Sequence, residues 1–273
     1  MSTVPLELAH AKLTTRLEVV GRREDGYHLL SAEMVSIDLA DELEFGSGDG
    51  LEVIDAVVWK GAGGDGAAAS SVPSDATNLV SRALRLVGRR ARVRLTKHIP
   101  AGAGLGGGSS DAAAVLRWAG LRDPLVAARL GADVPFCLRG GRAEVTGVGE
   151  RLRPLAFEAR SYVLVTPELE VSTAAVYRAF DEVGPGQRRQ GTANDLEAAA
   201  LAVEPRLAAW RDLVGEVAGR PARLAGSGST WYVECAKQEA DKLVAELEGA
   251  LGAIGARASI ARCQSVRERD DAR

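Results

Sequence analysis

The chain has 273 residues, 46% hydrophobic and 26% charged, with a formal net charge of −3. These values fit an ordinary soluble globular protein of one large domain or two compact ones. They disfavour nucleic acid as a partner, because no strong positive field is present to grip its phosphates. Cys137, Cys235 and Cys263 form no C-x-x-C pair and no metal-ligand spacing with the three histidines. They read as reduced thiols of a cytoplasmic protein. Residues 1–10 lack the basic region and apolar run of a signal peptide. No stretch nears the roughly 18 apolar residues of a membrane span, so no membrane association is expected.

In chain order, residues 7–20 and 33–45 carry strand-like runs, joined by the charged, turn-rich connector Gly21-Arg22-Arg23-Glu24-Asp25-Gly26. Residues 59–76 are rich in glycine, alanine and serine and read as a mobile surface loop. A helix follows over 78–88. Arg92-Val93-Arg94-Leu95-Thr96-Lys97 alternates polar and apolar, the period of a half-exposed strand. A helix is expected over 111–119, with Gly120 as its cap. Asp123-Pro124 opens another, which Gly131 ends. Residues 142–155 read as a hairpin turning at Gly147-Val148-Gly149.

The pattern changes near residue 156. A buried-looking strand at 162–165 is followed by helices at 172–182, 194–203 and 205–217, with a loop around Pro185-Gly186. Strand 222–225, the turn Gly226-Ser227-Gly228-Ser229, strand 230–235, helix 237–250 and strand 256–262 complete a second α+β unit. The charged stretch 267–273 is expected to be disordered.

The most informative segment is Pro100-Ala101-Gly102-Ala103-Gly104-Leu105-Gly106-Gly107-Gly108-Ser109-Ser110, with five glycines in seven residues. Backbone N–H groups converge on a phosphate when no side chain blocks the approach, and glycine removes the side chain. A helix beginning at the end of the loop adds free N–H groups and a partial positive charge. Strand, glycine turn, serines and helix together therefore point to phosphate binding. Gly102, Gly104 and Gly107 also fit the dinucleotide pattern G-x-G-x-x-G. Against that reading, the preceding strand alternates instead of being apolar throughout, no acid-ended strand follows about 20 residues on, and the loop lies mid-domain. No Lys-Ser/Thr pair follows the glycines, which excludes a P-loop.

Taken with its neighbours, this loop resembles the central motif of the GHMP kinases, the family of galactokinase, homoserine kinase, mevalonate kinase and phosphomevalonate kinase. Its expanded form, continuing into Asp111-Ala112-Ala113, resembles the branch whose acceptor is a cytidine-diphosphate sugar alcohol. Further matches occur in order: Ala11-Lys12-Leu13, Asp25-Gly26-Tyr27-His28, Thr77-Asn78-Leu79-Val80, Leu130-Gly131-Ala132-Asp133-Val134-Pro135-Phe136, Asn194-Asp195-Leu196-Glu197 and Arg223-Leu224-Ala225-Gly226-Ser227-Gly228. The resemblance spans about residues 9–262.

The resemblance implies a two-domain α+β fold. Residues 1–156 would form an ATP-binding domain of the ribosomal-protein-S5-domain-2-like kind, and 157–264 a ferredoxin-like domain, with a charged tail at 265–273. It implies an ATP- and Mg²⁺-dependent kinase, monomeric or homodimeric, with Lys12 and Asp133 as the catalytic pair. The loop from Pro100 to Ser110, with Asn78 and Lys97, would hold the nucleotide. Tyr27 and His28 would hold the cytidine part of the acceptor, with Tyr177 stacking on its other face. One departure stands out: Thr14 occupies the position of a family asparagine at the acceptor end. A kinase for a different small alcohol, a non-catalytic nucleotide-binding protein and a dehydrogenase are the competing readings.

Overall fold

A computed structural model describes residues 4–61, 72–184 and 193–268. Two long strands begin it, β1 (Leu6–Arg22) and β2 (His28–Gly46), paired antiparallel around the charged connector. Next come β3 (Gly50–Asp55), β4 (Lys60–Gly61), α1 (Leu79–Leu86), β5 (Arg92–Lys97), α2 (Gly107–Trp118), α3 (Pro124–Ala127), α4 (Val134–Arg139) and the hairpin β6 (Arg142–Gly147) and β7 (Arg151–Pro154). Strand β2 organises this sheet. Its far end pairs with β5 and its near end with β6, while β3 runs parallel to β5. Val93 and Leu95 of β5 are buried and Arg92 and Arg94 exposed, as the alternation requires. The buried face packs Leu43 and Leu95 against Val115, Leu116 and Phe136 from α2 and α4.

The second half is β8 (Ser161–Pro167), α5 (Thr173–Val183), α6 (Glu197–Val203), α7 (Leu207–Ala218), β9 (Arg223–Leu224), β10 (Trp231–Cys235), α8 (Ala240–Ile254) and β11 (Arg257–Gln264). Its sheet has the order β4-β11-β8-β10-β9, antiparallel throughout. All seven residues of β8 are buried, because both faces of the strand are covered. Val163 and Val165 join Phe180, Trp231 and Leu247 in the core beneath the helices. Tyr162 and Leu164, on the opposite face, meet Ala11, Leu13, Val35, Ile37, Ile99, Ala103 and Leu105 in a third core. That third core joins the two sheets and includes the glycine loop.

Several expectations are corrected. Helix α2 starts at Gly107, not at residue 111. Gly106, at φ 70°, turns the chain into the helix, and packing overrides the poor helix propensity of Gly107 and Gly108. Helix α3 is a single turn ending at Ala127, before Gly131, although Asp123 caps it as expected. Helix α4 was not anticipated. In the stretch 59–76, Trp59 is buried and Lys60–Gly61 pair with Ala258 and Arg257; residues 62–71 lie outside the described residues. So do Pro185-Gly186 and residues 269–273, but the start of the charged tail is ordered. Arg267 lies over the Phe157 ring at 4.2 Å, and Glu268 pairs with Arg139 at 2.7 Å.

Leu105 is 1% exposed. Leu105→Ala is expected to destabilise the protein by about 2–5 kcal/mol, read as a lower denaturant midpoint.

Candidate active site

Lys12 and Asp133 lie 121 positions apart in sequence, yet Lys12 Nζ is 3.4 Å from Asp133 Oδ2. Register shifts in the β1–β2 pairing fall between His10 and Lys12 and between Thr14 and Arg16. Such irregularities re-aim side chains, and here they bracket the segment that turns Lys12 and Thr14 into a cleft. The Lys12 backbone N–H donates to the Leu105 carbonyl at 3.0 Å, and its ammonium donates to Thr14 Oγ1 at 3.2 Å. Asp133 immediately precedes α4, and its side chain makes no capping bond to that helix. Its carboxylate is thus free to face Lys12. A carboxylate that accepts a proton, beside an ammonium that offsets negative charge, is the equipment of phosphoryl transfer to an alcohol.

The glycine loop lies against this pair. Gly102, Gly104 and Gly106 have φ of 68°, 77° and 70°. Between them, Ala103 and Leu105 point into the core shared by the two sheets. At Gly104 a Cβ would come within 2.2 Å of the Ala225 carbonyl oxygen, and at Gly106 within 2.8 Å of Lys12 Cγ. Both positions therefore require glycine for space as well as for backbone angle. Because the N-cap of α2 is itself glycine, no side chain caps the first N–H groups of that helix. They open toward the cleft. The two serines part company here. Ser109 lines the cleft. Ser110 does not: it is buried, and its hydroxyl donates to the His10 carbonyl at 2.7 Å, tying α2 to β1.

Lys97 is held by two carboxylates. Its ammonium donates to Asp41 and, at 2.7 Å, to Asp111. All three groups are nearly sealed from solvent, and Asp41 also accepts the N–H groups of His98 and Ile99. Lys97 lines the cleft, but its charge serves this cluster beneath the loop. Burial pushes the Asp111 carboxyl up to about 7, against the pull of the Lys97 ammonium. Asn78 caps α1, accepting from the Val80 N–H at 2.8 Å and donating to the Pro73 carbonyl at 2.6 Å. It holds that wall of the cleft in place.

At the other end, Tyr27 stands 65% exposed on the β1–β2 connection. The His28 ring stacks on Tyr177, centroids 4.9 Å apart and planes 24° from parallel, with Phe180 edge-on at 5.9 Å. In this structure, then, His28 itself covers a face of Tyr177. Burial, aided by the Asp133 charge, pushes the Tyr177 phenol well above its usual value. Asp181, which sequence reasoning missed, meets His28 Nε2 at 2.7 Å. It lies four residues after Tyr177 on α5, a spacing that shares a helix face; that was the available signal. Asp41 had none.

Asn194 frames the cleft by donating to the carbonyls of Leu224 and Gly226 at 3.0 and 2.7 Å. Thr173 and Ser227 share a hydroxyl hydrogen bond of 2.8 Å. One cavity of about 990 Å³ contains Lys12, Thr14, Asp133, the loop from Pro100 to Ser109, and the aromatic end.

Residues 78–141 match the model of the GHMP kinases N terminal domain. The chain is 38% identical over 244 residues to 4-diphosphocytidyl-2-C-methyl-D-erythritol kinase of Paracoccus denitrificans, covering 83% of this chain and 85% of that protein. It is 36% identical over 271 residues to the protein of the same name from Cereibacter sphaeroides, covering 89% and 93%. A crystal structure of 4-(cytidine 5'-diphospho)-2C-methyl-D-erythritol kinase superposes with a TM-score of 0.69 and 32% identity, covering 96% of this chain and 99% of that one.

Beside the catalytic candidates, burial and the Asp133 charge push the Cys137 thiol up to about 12. At pH 8 only about one molecule in ten thousand would carry the reactive thiolate. Iodoacetamide at that pH is expected to leave Cys137 of the native protein unmodified and to label it after unfolding, as read by mass spectrometry of its peptide.

Proposed function

The chain belongs to the 4-diphosphocytidyl-2-C-methyl-D-erythritol kinase family of the GHMP kinases, and from that premise we propose its reaction. It transfers the γ-phosphoryl group of ATP to the 2-hydroxyl of the methylerythritol part of 4-diphosphocytidyl-2-C-methyl-D-erythritol, a step in non-mevalonate isoprenoid precursor synthesis. The observation that carries this reading is the Lys12–Asp133 pair, set against the glycine loop in a single cleft.

Asp133 accepts the proton of the acceptor hydroxyl as its oxygen attacks the γ-phosphorus. The bond from that phosphorus to the bridging oxygen breaks, and ADP leaves. Lys12 sits where it offsets the negative charge that spreads over the transferring group. The open N–H groups at the start of α2 and along the loop receive the phosphates, and Ser109 adds a hydroxyl. Mg²⁺ bound with the nucleotide would supply further charge neutralisation on those phosphates. Among the described residues no group of three or more His, Cys, Asp or Glu side chains is arranged to hold a metal. That fits an ion whose ligands come largely from nucleotide oxygens and water.

Asn78 and the wall it caps border the adenosine end. Tyr27, His28 and Tyr177 form the acceptor end, where flat rings and an imidazole suit a pyrimidine. Residues 1–156 act as the ATP-binding half and 157–264 as the ferredoxin-like half. Thr14 favours one second reading. Its hydroxyl is engaged by Lys12, so the acceptor contacts made by the family asparagine differ here, and a related alcohol is the alternative substrate.

Asp133→Asn is expected to lower kcat by about 10²- to 10⁴-fold while calorimetry finds ATP affinity nearly unchanged. Transfer persisting at more than a few per cent of wild type would remove Asp133 from the role of base. In a panel of the cytidine-diphosphate acceptor, mevalonate, homoserine and galactose, the first is expected to give the highest kcat/KM. Preference for any other would overturn the substrate assignment.

A further inference from the structure

One carboxylate joins the two segments that form the acceptor end of the cleft. Asp181, on α5, meets His28 Nε2 at 2.7 Å and Arg22 Nη1 at 3.4 Å. Arg22 ends β1 and His28 begins β2, so Asp181 grips both stems of the connection that carries Tyr27. Arg22 also holds that connection from within, donating from Nε to the Gly26 carbonyl at 3.1 Å. The same helix face supplies Tyr177, on which His28 stacks. Asp181 and His28 are 153 positions apart, and their side chains are 33% and 10% exposed.

An ionised carboxylate only accepts hydrogen bonds, so the Nε2 that meets it carries the hydrogen. This fixes the ring in two respects. A flip about its long axis, which would exchange nitrogen and carbon positions, would break the bond. The other nitrogen, Nδ1, has no hydrogen-bond partner among the described residues and is left for a ligand. Stacking on Tyr177 then restricts the ring to a single plane. An imidazole with one nitrogen occupied, one free and its plane set is a reader of a heterocycle's polar edge.

We propose that Asp181 is a positioning residue for acceptor specificity. Through His28 and Arg22 it presents one defined nitrogen of His28, and the Tyr27 turn, to the nucleobase of the acceptor. The inference rests on the reading that this end of the cleft receives a pyrimidine nucleotide. The ionic partners of Asp181 are His28 and Arg22, not Lys12 or Asp133, so its effect is expected to fall on acceptor binding.

The test uses the full chain with Asp181→Ala and Asp181→Asn. In steady-state kinetics, KM for the cytidine-diphosphate acceptor should rise about 10- to 100-fold, the size of one lost charge-assisted hydrogen bond. KM for ATP and kcat should stay within about twofold. In nitrogen-15 spectra of the ligand-free protein, the His28 ring, assigned by its loss in His28→Asn, should carry hydrogen on Nε2 in the wild type. In Asp181→Ala it should become a mixture of tautomers. An unchanged acceptor KM, or a parallel rise for ATP with a lowered Tm, overturns the proposal. So does an unchanged ring spectrum. A wild type that fails to phosphorylate the cytidine acceptor refutes the substrate reading instead, and the ring spectrum then still decides what Asp181 does to His28.

Discussion

Ala103 and Leu105 are buried in the core that the two sheets share, and the cleft is placed from there. Anchoring alternate residues of the loop leaves Gly102, Gly104 and Gly106 to make the turns between them. The anchored loop brings Gly104 against the Ala225 carbonyl and Gly106 against the Lys12 side chain, closer than any Cβ permits. The Leu105 carbonyl then takes the Lys12 N–H. The glycine loop, Lys12 and the turn of the second half are thus fixed by one packing contact and its neighbours. A loop held in this way loses little further conformational entropy when a ligand arrives.

Charge is handled in compensated groups. The ammonium of Lys12 has Asp133 and Thr14, and that of Lys97 has Asp41 and Asp111. Glu33, at the junction of the two halves, has Arg142 at 3.0 Å and Arg160 at 3.4 Å. The Arg142 contact and charge hold the Glu33 carboxyl below its usual range against the effect of burial. Buried pairs of this kind recover their desolvation cost only in good geometry and add little net stability. Their use here is positional. The Lys97 cluster holds the strand before the loop to the helix after it, joining β5, β2 and α2 at one point.

The two ends of the cleft differ in construction. The end lined by the glycine loop is backbone, and at Gly104 and Gly106 it leaves no room for a Cβ. The acceptor end is built from side chains on separate segments, Tyr27 and His28 from one turn and Tyr177 and Asp181 from α5. Its geometry depends on ring stacking and one carboxylate. Under the proposed reaction, transfer needs the first kind of construction together with the Lys12–Asp133 side chains. Choice among acceptors needs the second, which changes with single substitutions such as Thr14.

The sequence by itself determined the elements whose pattern is local. The alternation of β5, the hairpin at 142–154, the cap at Asp123 and the helices of the second half were all legible, because period and turn chemistry act within a few residues. The family was legible too, through motifs whose order carries the information. Tertiary structure alone decided the start of α2, the existence of α4 and the pairing of Lys60–Gly61 with β11. It also gave the contacts of Ser110 with His10 and of Lys97 with two carboxylates, which the motif does not report. Asp41 carries no local mark at all, and Asp181 carries only its helix spacing from Tyr177. Their partners lie 56 and 153 positions away, and no periodicity reports a contact that only the folded chain brings together.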